Sequence, residues 1–319
     1  MDTKTLWKLI NFYARFTPSY TKLGYYARRL FWKRTSPRDF SGQRWLITGA
    51  STGLGKAMLD IAAGAGAEVI AVANHPQRLA AAIEALPAEA RQSVTGIATD
   101  LSLVSEAHSL VDRLLSKHQG FDVVVNNAGY LHNDLHLTAE GFEASYVINV
   151  LSHFILTEGL INGDALTQNA VVINMTSGGM YNAPQGTQGL NLTDPKTYQG
   201  KVAYAFAKRA QVALTTYWNS RYQTRGIRFY ATHPGWSKTP GVKVALPVFY
   251  KIQNLILRTP KQGADTALWL AATKPETGSE ETVWFDRQAR PSHIYEATKT
   301  PLCSQQELVD YLQAHSRRS

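Results

Sequence analysis

Apolar residues recur along the chain in two alternating periods. Continuous apolar runs at 45–47, 68–73, 94–98, 121–125, 170–175 and 227–232 have the length of buried strands. Between them, helical periodicity at 56–65, 76–86, up to 117, 138–161 and 204–221 predicts helices. An apolar stretch at 242–257 reads as a packed helix. Helices are also predicted at 262–273 and 305–314, with a last strand at 282–285. Over 319 residues this suits one large α/β domain with additions, or at most two domains.

The N-terminus follows a different pattern. In residues 4–17, Lys4, Lys8, Asn11 and Arg15 fall on one helical face, and Leu6, Leu9, Ile10, Tyr13 and Phe16 on the other, before Pro18 stops the period. A weaker pattern over 21–34 sets Leu23, Ala27, Leu30 and Phe31 against Lys22, Arg29 and Lys33. Charge sharpens the picture. Residues 1–40 hold nine basic and two acidic side chains, a local +7 out of the total +9, so the remaining chain carries only +2. A nucleic-acid binder would carry its basic stripe on the folded domain, so none is expected. Basic, aromatic helices with Trp7 and Trp32 suit an anionic membrane surface. The alternative is that they pack on the main domain. Catalysis is expected to need none of residues 1–40. No run approaches the roughly 18 apolar residues of a bilayer span, and no signal-peptide pattern is present. The expected location is cytoplasmic or peripheral on a membrane. Cys303 stands alone, which excludes an intrachain disulfide and a cysteine zinc site, and no metal is expected.

The richest stretch is RWLITGASTGLG, residues 44–55. A short buried strand ends in Gly49, Gly53 and Gly55, and an alanine-rich helix follows at once. Strand, glycine turn and helix present bare backbone N–H groups to a diphosphate at the positive end of a helix. Gly49, Ser51, Thr52, Gly53, Leu54 and Gly55 are therefore candidate cofactor ligands. The second strand ends at Asn74, without the acid that would accept from a ribose 2′-hydroxyl. His75 and Arg78 lie close by. The absence of an anion favours NADP(H) over NAD(H).

The turn resembles that of the short-chain dehydrogenase/reductase family, which reads T-G-x-x-x-G-x-G, and other segments resemble it too. Asn126-Asn127-Ala128-Gly129 ends the fourth strand. Ser177 follows the fifth. Tyr204 and Lys208, four apart, share one helical face. Pro234-Gly235 with Thr239 resembles the family's nicotinamide-side loop. The likeness covers nearly all of residues 44 to 290, and the long interval from Ser177 to Tyr204 resembles the retinol-dehydrogenase-like branch. It implies a Rossmann doubly wound parallel sheet flanked by helices, in a single domain with an N-terminal helical extension. It implies that Asp100 and Leu101 meet the adenine, and that Asn127, Ala128 and Gly129 approach the cofactor. It implies that Asn149 bends its helix so that its carbonyl holds a water in a proton relay. A mobile substrate lid is implied at 236–262, and a homodimer or homotetramer paired through the helices of Asn149 and Tyr204.

The implied catalytic set is Asn149, Ser177, Tyr204 and Lys208. A tyrosine titrates near ~10, too high for efficient acid/base work at neutral pH. A nearby ammonium favours the phenolate, so Lys208 is expected to lower that value. Tyr204 would then exchange a proton with a small-molecule alcohol or carbonyl held by Ser177, and Lys208 would also hold the nicotinamide ribose. The domains expected are a basic helical extension at 1–40, the dinucleotide-binding domain at 41–290 with its lid, and a tail with a helix at 291–319. The competing classes are a non-catalytic nucleotide-binding scaffold or sensor, and a membrane-recruited lipid-binding protein with a vestigial core. A scaffold has no need of all four catalytic side chains.

Overall fold

The strands are β1 Arg44–Thr48, β2 Glu68–Ala73, β3 Val94–Ala98, β4 Phe121–Asn126, β5 Leu166–Met175, β6 Arg228–Thr232, β7 Thr282–Phe285 and β8 Gln288–Pro291. In this computed structural model, which describes residues 16–33, 38–117, 119–278 and 280–318, they form one sheet in the order β3-β2-β1-β4-β5-β6-β7-β8. All neighbours pair in parallel except β7 with β8. The strand order reverses between β1 and β4. At such a point the loops leaving the strands diverge, and a crevice opens at the carboxyl edge of the sheet.

The helices used below are α1 Lys22–Arg29, α2 Gly53–Gly64, α3 Val104–Leu115, α4 Ser152–Asn162, α5 Gly200–Tyr222, α6 Pro240–Ala245, α7 Pro247–Gln253, α8 Pro260–Thr273 and α9 Gln305–His315. They cover both faces of the sheet. Along β1, Leu46 joins the core built with α3, α4, α5 and α9, whereas Trp45 and Ile47 join the core built with α2 and α8. Strands buried on both faces read as unbroken apolar runs, which is why the sequence located β1, β2, β4 and β6 to within about a residue or two.

Four departures from the sequence reading have identifiable causes. The stretch 138–161 is not one helix. Helical structure begins at Ala144, where the Glu143 carboxylate accepts from Ser145 N at 2.8 Å and Tyr146 N at 2.6 Å. A π-helical turn at Val147–Leu151, which contains Asn149, leads into α4. This Ala144–Asn162 segment is also long and apolar enough to cross a membrane, but 78% of the qualifying window is buried inside the fold. Ser145, Asn149, Ser152 and His153 interrupt its apolar run, which hid it from the sequence. The apolar stretch at 242–257 splits into α6 and α7 at Leu246, because Pro247 supplies no N–H to continue α6. β8 was not foreseen at all.

The fourth departure is at the N-terminus. Residues 16–20 are helical and α1 follows, with Phe16, Tyr20, Thr21, Gly24 and Tyr25 buried. The stripe of Leu23, Ala27, Leu30 and Phe31 faces outward. The pattern at 4–17 lies, apart from its last two residues, outside the described residues.

Candidate active site

A cleft of about 1290 Å³ runs along the carboxyl edge of the sheet. It exceeds the roughly 300–1,000 Å³ of a drug-sized site, which leaves room for a dinucleotide and a second molecule. One half is made of backbone. Gly49 and Gly53 have φ of +67° and +56°, a left-handed conformation that glycine adopts without strain. A Cβ on Gly55 would stand 2.1 Å from the Gly49 carbonyl oxygen. Gly55 thus lies beneath the turn and lets α2 start against it, while Gly49, Ser51, Thr52, Gly53 and Leu54 line the cleft. The Thr48 hydroxyl knits β1 to β4: it accepts from Asn127 N and Ala128 N, both at 2.9 Å. Asn127 Nδ2 donates to Thr48 O at 2.8 Å. Asn126 looks the other way, into a buried chain of amides and hydroxyls with Asn174, Thr157 and Thr215.

Of the remaining candidate cofactor ligands, Asn74, Leu101, Asn127, Ala128, Gly129, Pro234, Gly235 and Thr239 line the cleft. Asp100 does not. Its carboxylate accepts from Ser102 N at 3.0 Å and Ser102 Oγ at 2.8 Å, and Thr99 and Leu101 face the cleft on either side of it. His75 is also diverted. Its Nδ1 accepts from Arg78 N and caps the following helix, which leaves Arg78 as the basic group at the cleft beside Asn74.

At the centre, Ser177, Tyr204 and Lys208 come together. Ser177 caps a short 3₁₀ turn, accepting from Gly179 N at 3.2 Å, and hydrogen-bonds the Tyr204 hydroxyl. Lys208 Nζ lies 5.5 Å from the Tyr204 ring centroid and donates to Met175 O at 3.0 Å. Thr176 Oγ1 donates to Lys208 O at 2.7 Å, so the strand end and α5 are fixed to one another. Burial dominates the electrostatics. It drives the Lys208 ammonium down from 10.5 to about 7, and it holds the Tyr204 phenol above its usual value against the opposing Ser177 hydrogen bond. The expected depression of Tyr204 by Lys208 is therefore not what the protein alone produces. Desolvation is the leading cause at both groups.

Asn149 is fully buried behind this group. Its Nδ2 donates to Tyr130 O and Ser145 O, each at 2.7 Å. Its main-chain carbonyl, expected to be exposed for a water, instead accepts from Gln211 Nε2 at 2.8 Å. Gln211 Nε2 also reaches His153 Nδ1 at 2.9 Å, and burial together with the charge of Lys208 pushes His153 down to about 3, so its ring is neutral. The π turn opens the carbonyl, and Gln211 closes on it. Among the described residues, the side-chain oxygen Asn149 Oδ1 is left without a hydrogen-bond partner, as are Gln211 Oε1 and His153 Nε2 in the same cluster. A Cβ on Gly129 would stand 2.6 Å from Asn149 Oδ1 and 3.2 Å from Lys208 Nζ. Bare backbone at Gly129 in the mouth of the cleft and the Lys208 side chain form a polar cradle that fits a nicotinamide ribose, with Asn149 Oδ1 buried behind it.

The other half of the cleft is made of side chains, of which the sequence pointed only to those in the segment 236–262. Phe16 and Tyr20 line it together with Tyr181, Trp236, Phe249 and Tyr295. Tyr20 meets His233, Trp236 and Phe285 edge-on, with ring centroids 4.8, 5.8 and 5.3 Å away. Buried charge holds this segment in place. Asp286, 1% exposed, accepts from Arg258 Nη1 at 2.6 Å and Arg28 Nε at 2.6 Å. Arg258 also donates to Tyr20 O at 2.9 Å and Ser19 O at 3.1 Å. Residues 16–28 are therefore a wall of the cleft and not a detachable leader. The only signal for this in the sequence was the aromatic content of the N-terminus.

Comparison with known proteins gives the family and the fold. The family model described as short chain dehydrogenase matches residues 43–246. Dehydrogenase/reductase SDR family member 12 of Bos taurus is 32% identical over 98% of this chain and 99% of its own length. Retinol dehydrogenase 11 of Homo sapiens is 28% identical, over 75% of this chain and 76% of its own. Among solved structures, an uncharacterised protein of Mycobacterium Paratuberculosis superposes with a TM-score of 0.67 at 23% identity, covering 89% of this chain and 97% of that one.

Proposed function

The chain belongs to the short-chain dehydrogenase/reductase family, oxidoreductases that act on CH–OH and C=O groups with NAD(P)(H), and on that premise we propose that it interconverts a hydrophobic or lipid-like alcohol and its carbonyl, with Tyr204 transferring the proton. The observation that carries this reading is the contact of Ser177, Tyr204 and Lys208 at the floor of a cleft whose far wall is aromatic.

The glycine turn, Asn127 to Gly129, Pro234, Gly235 and Thr239 would hold the dinucleotide, with Lys208 at its nicotinamide ribose. When bound, that cofactor supplies or accepts the hydride. Ser177 holds the substrate oxygen by hydrogen bonding. Tyr204, kept protonated by burial, is poised to donate to a carbonyl oxygen, which favours reduction. The phenolate left behind faces the Lys208 ammonium, and a lysine held near neutral pH can return the proton. Gln211 and His153 brace the π turn that positions Asn149.

NADP(H) is the favoured cofactor in this reading, because β2 ends without an anion and Arg78 faces the cleft beside Asn74. Residues 1–40 attach the enzyme to an anionic membrane surface. The unit at 41–290 carries the chemistry, completed by the wall from residues 16–28, and 291–319 forms a tail. Pairing of subunits through α4 and α5 belongs to the same reading.

The test is a panel of apolar alcohols, aldehydes and ketones, followed by nicotinamide absorbance with each cofactor, alongside calorimetric titration of NADP and NAD. Turnover of apolar members with tighter NADP binding is the expected result. No turnover on any member, or tighter NAD binding, would count against the corresponding half of the reading.

A further inference from the structure

The largest exposed side chains of apolar character gather on two segments that touch. On α1 and the turn after it, Leu23, Tyr26, Leu30 and Phe31 point outward, the last two 83% and 85% exposed. Leu23, Tyr26 and Leu30, spaced three and four apart, share one helical face, and Phe31 lies in the turn beyond. On α6, Val244 points outward, and after the break at Leu246 so do Val248, Ile252 and Leu255, on α7 and the turn beyond. The two segments meet where Lys22 N donates to Ile256 O at 3.0 Å. A soluble surface rarely gathers so much of its exposed apolar area in one place.

Charge identifies the occupant. Residues 16–33 and 236–263 contain no Asp or Glu. They contain Lys22, Arg29, Lys33, Lys243 and Lys251, and the last four of these are exposed. A protein partner would be met with charges of both signs. Apolar ridges on segments that carry only cations fit an anionic bilayer, with the ridges entering the acyl boundary and the lysines at the headgroups. Val244 and Val248 also line the cleft, so the same surface forms its rim.

We infer that α1 and the α6–α7 lid form one membrane-docking face, with the substrate mouth of the cleft opening onto the bilayer. This rests on the membrane reading of residues 1–40 and adds a second, folded contact made by the lid. An apolar substrate dissolved in the bilayer would then reach the aromatic wall without crossing water.

The experiment uses the full chain and co-sedimentation with phosphatidylcholine vesicles, with and without phosphatidylserine, at low and high salt. Ile252→Glu with Leu255→Glu, neither of which lines the cleft, is expected to weaken vesicle binding by about tenfold or more, since each tenfold needs only the differential burial of a side chain or two. Lys243→Glu with Lys251→Glu is expected to weaken the phosphatidylserine dependence, with the cations of residues 1–40 supplying what remains. NADP titration of every variant checks that it is folded and should be unchanged. The milder pair Ile252→Asn with Leu255→Asn serves if the glutamates prevent folding. Three results would overturn the inference: wild-type protein that stays in the supernatant; lid variants that sediment like wild type, in which case the leader alone attaches; or lid variants that turn a dimer into a monomer without changing sedimentation, in which case a second copy covers the face. A failure of the catalytic reading appears separately, as absent turnover without vesicles.

Discussion

The two halves of the cleft are built by opposite means. The dinucleotide half is a backbone surface: glycines at two left-handed positions, a third packed against the first, and a threonine hydroxyl that binds two adjacent strands. These glycines and this hydroxyl come from the end of β1 and the turn after it, against the end of β4. The substrate half is a side-chain surface, gathered from residues 16–28, the loop after β5, the lid and the segment after β8. A backbone surface needs particular residues at fixed spacing, so it leaves a legible signature. A side-chain surface needs only bulk at positions that meet through tertiary structure, and many sequences satisfy that.

The largest effect should come at the seam between the halves. Tyr204→Phe should lower turnover by about 10²–10⁴-fold, the usual worth of a positioned acid or base, while leaving NADP affinity near wild type. Steady-state kinetics on a verified substrate decides it, and wild-type turnover in the variant would remove Tyr204 from the chemistry.

The next largest tests what holds the substrate half together. Asp286→Ala leaves Arg28 and Arg258 without their shared carboxylate, and breaking a buried pair in this way costs about 3–5 kcal/mol. Urea unfolding should show that loss. Cofactor affinity, measured in the surviving folded protein, should fall far less. An equal collapse of both would mean that the two halves are one cooperative unit.

A pH series separates them further. Burial, reinforced by Arg258, holds His233 down to about 3 from 6.5. Below pH 6.5 the unfolded chain takes up a proton that the folded chain refuses, so stability is present above 6.5 and is lost as pH falls toward 3. By pH 5 the loss through this group is about 2 kcal/mol. His233 packs against Tyr20 and Phe285, so thermal melts of His233→Gln should show a shallower acid slope. An unchanged slope would place the acid sensitivity elsewhere, with His153 as the next group to test.

The smallest effect concerns the wall itself. Tyr20→Leu should raise KM for a bulky apolar substrate by about tenfold, the scale of a hydrophobic pocket contact, with kcat and NADP binding little changed. If the NADP constant moved as much as KM, the two halves would not be separable.

The same contrast explains what the sequence disclosed. β1, its glycine turn and the Tyr204–Lys208 pair were legible because period and spacing fix them. The β7–β8 hairpin was not. Its turn residues, Asp286 and Arg287, have φ of +50° and +60°, where Asn-Gly would be expected. Contacts that only the folded chain provides help to hold them there: Asp286 to Arg28 and Arg258, and Arg287 in a two-pronged pair with Asp265 at 2.8 Å. The closing of the Asn149 carbonyl was hidden for a similar reason, since Gln211 lies 62 positions away. The split of the lid was legible in Pro247 and was overlooked because the apolar period runs through it.

The tie between Arg28 and Asp286 spans 258 positions. Closing so long a loop is slow, because its entropy must be lost before the contact rewards it. On a ribosome, residues 16–28 emerge long before the β7–β8 turn that anchors Arg28. Until Asp286 has been made, that anchor is missing, and the aromatic wall of the cleft waits for a contact 258 positions downstream.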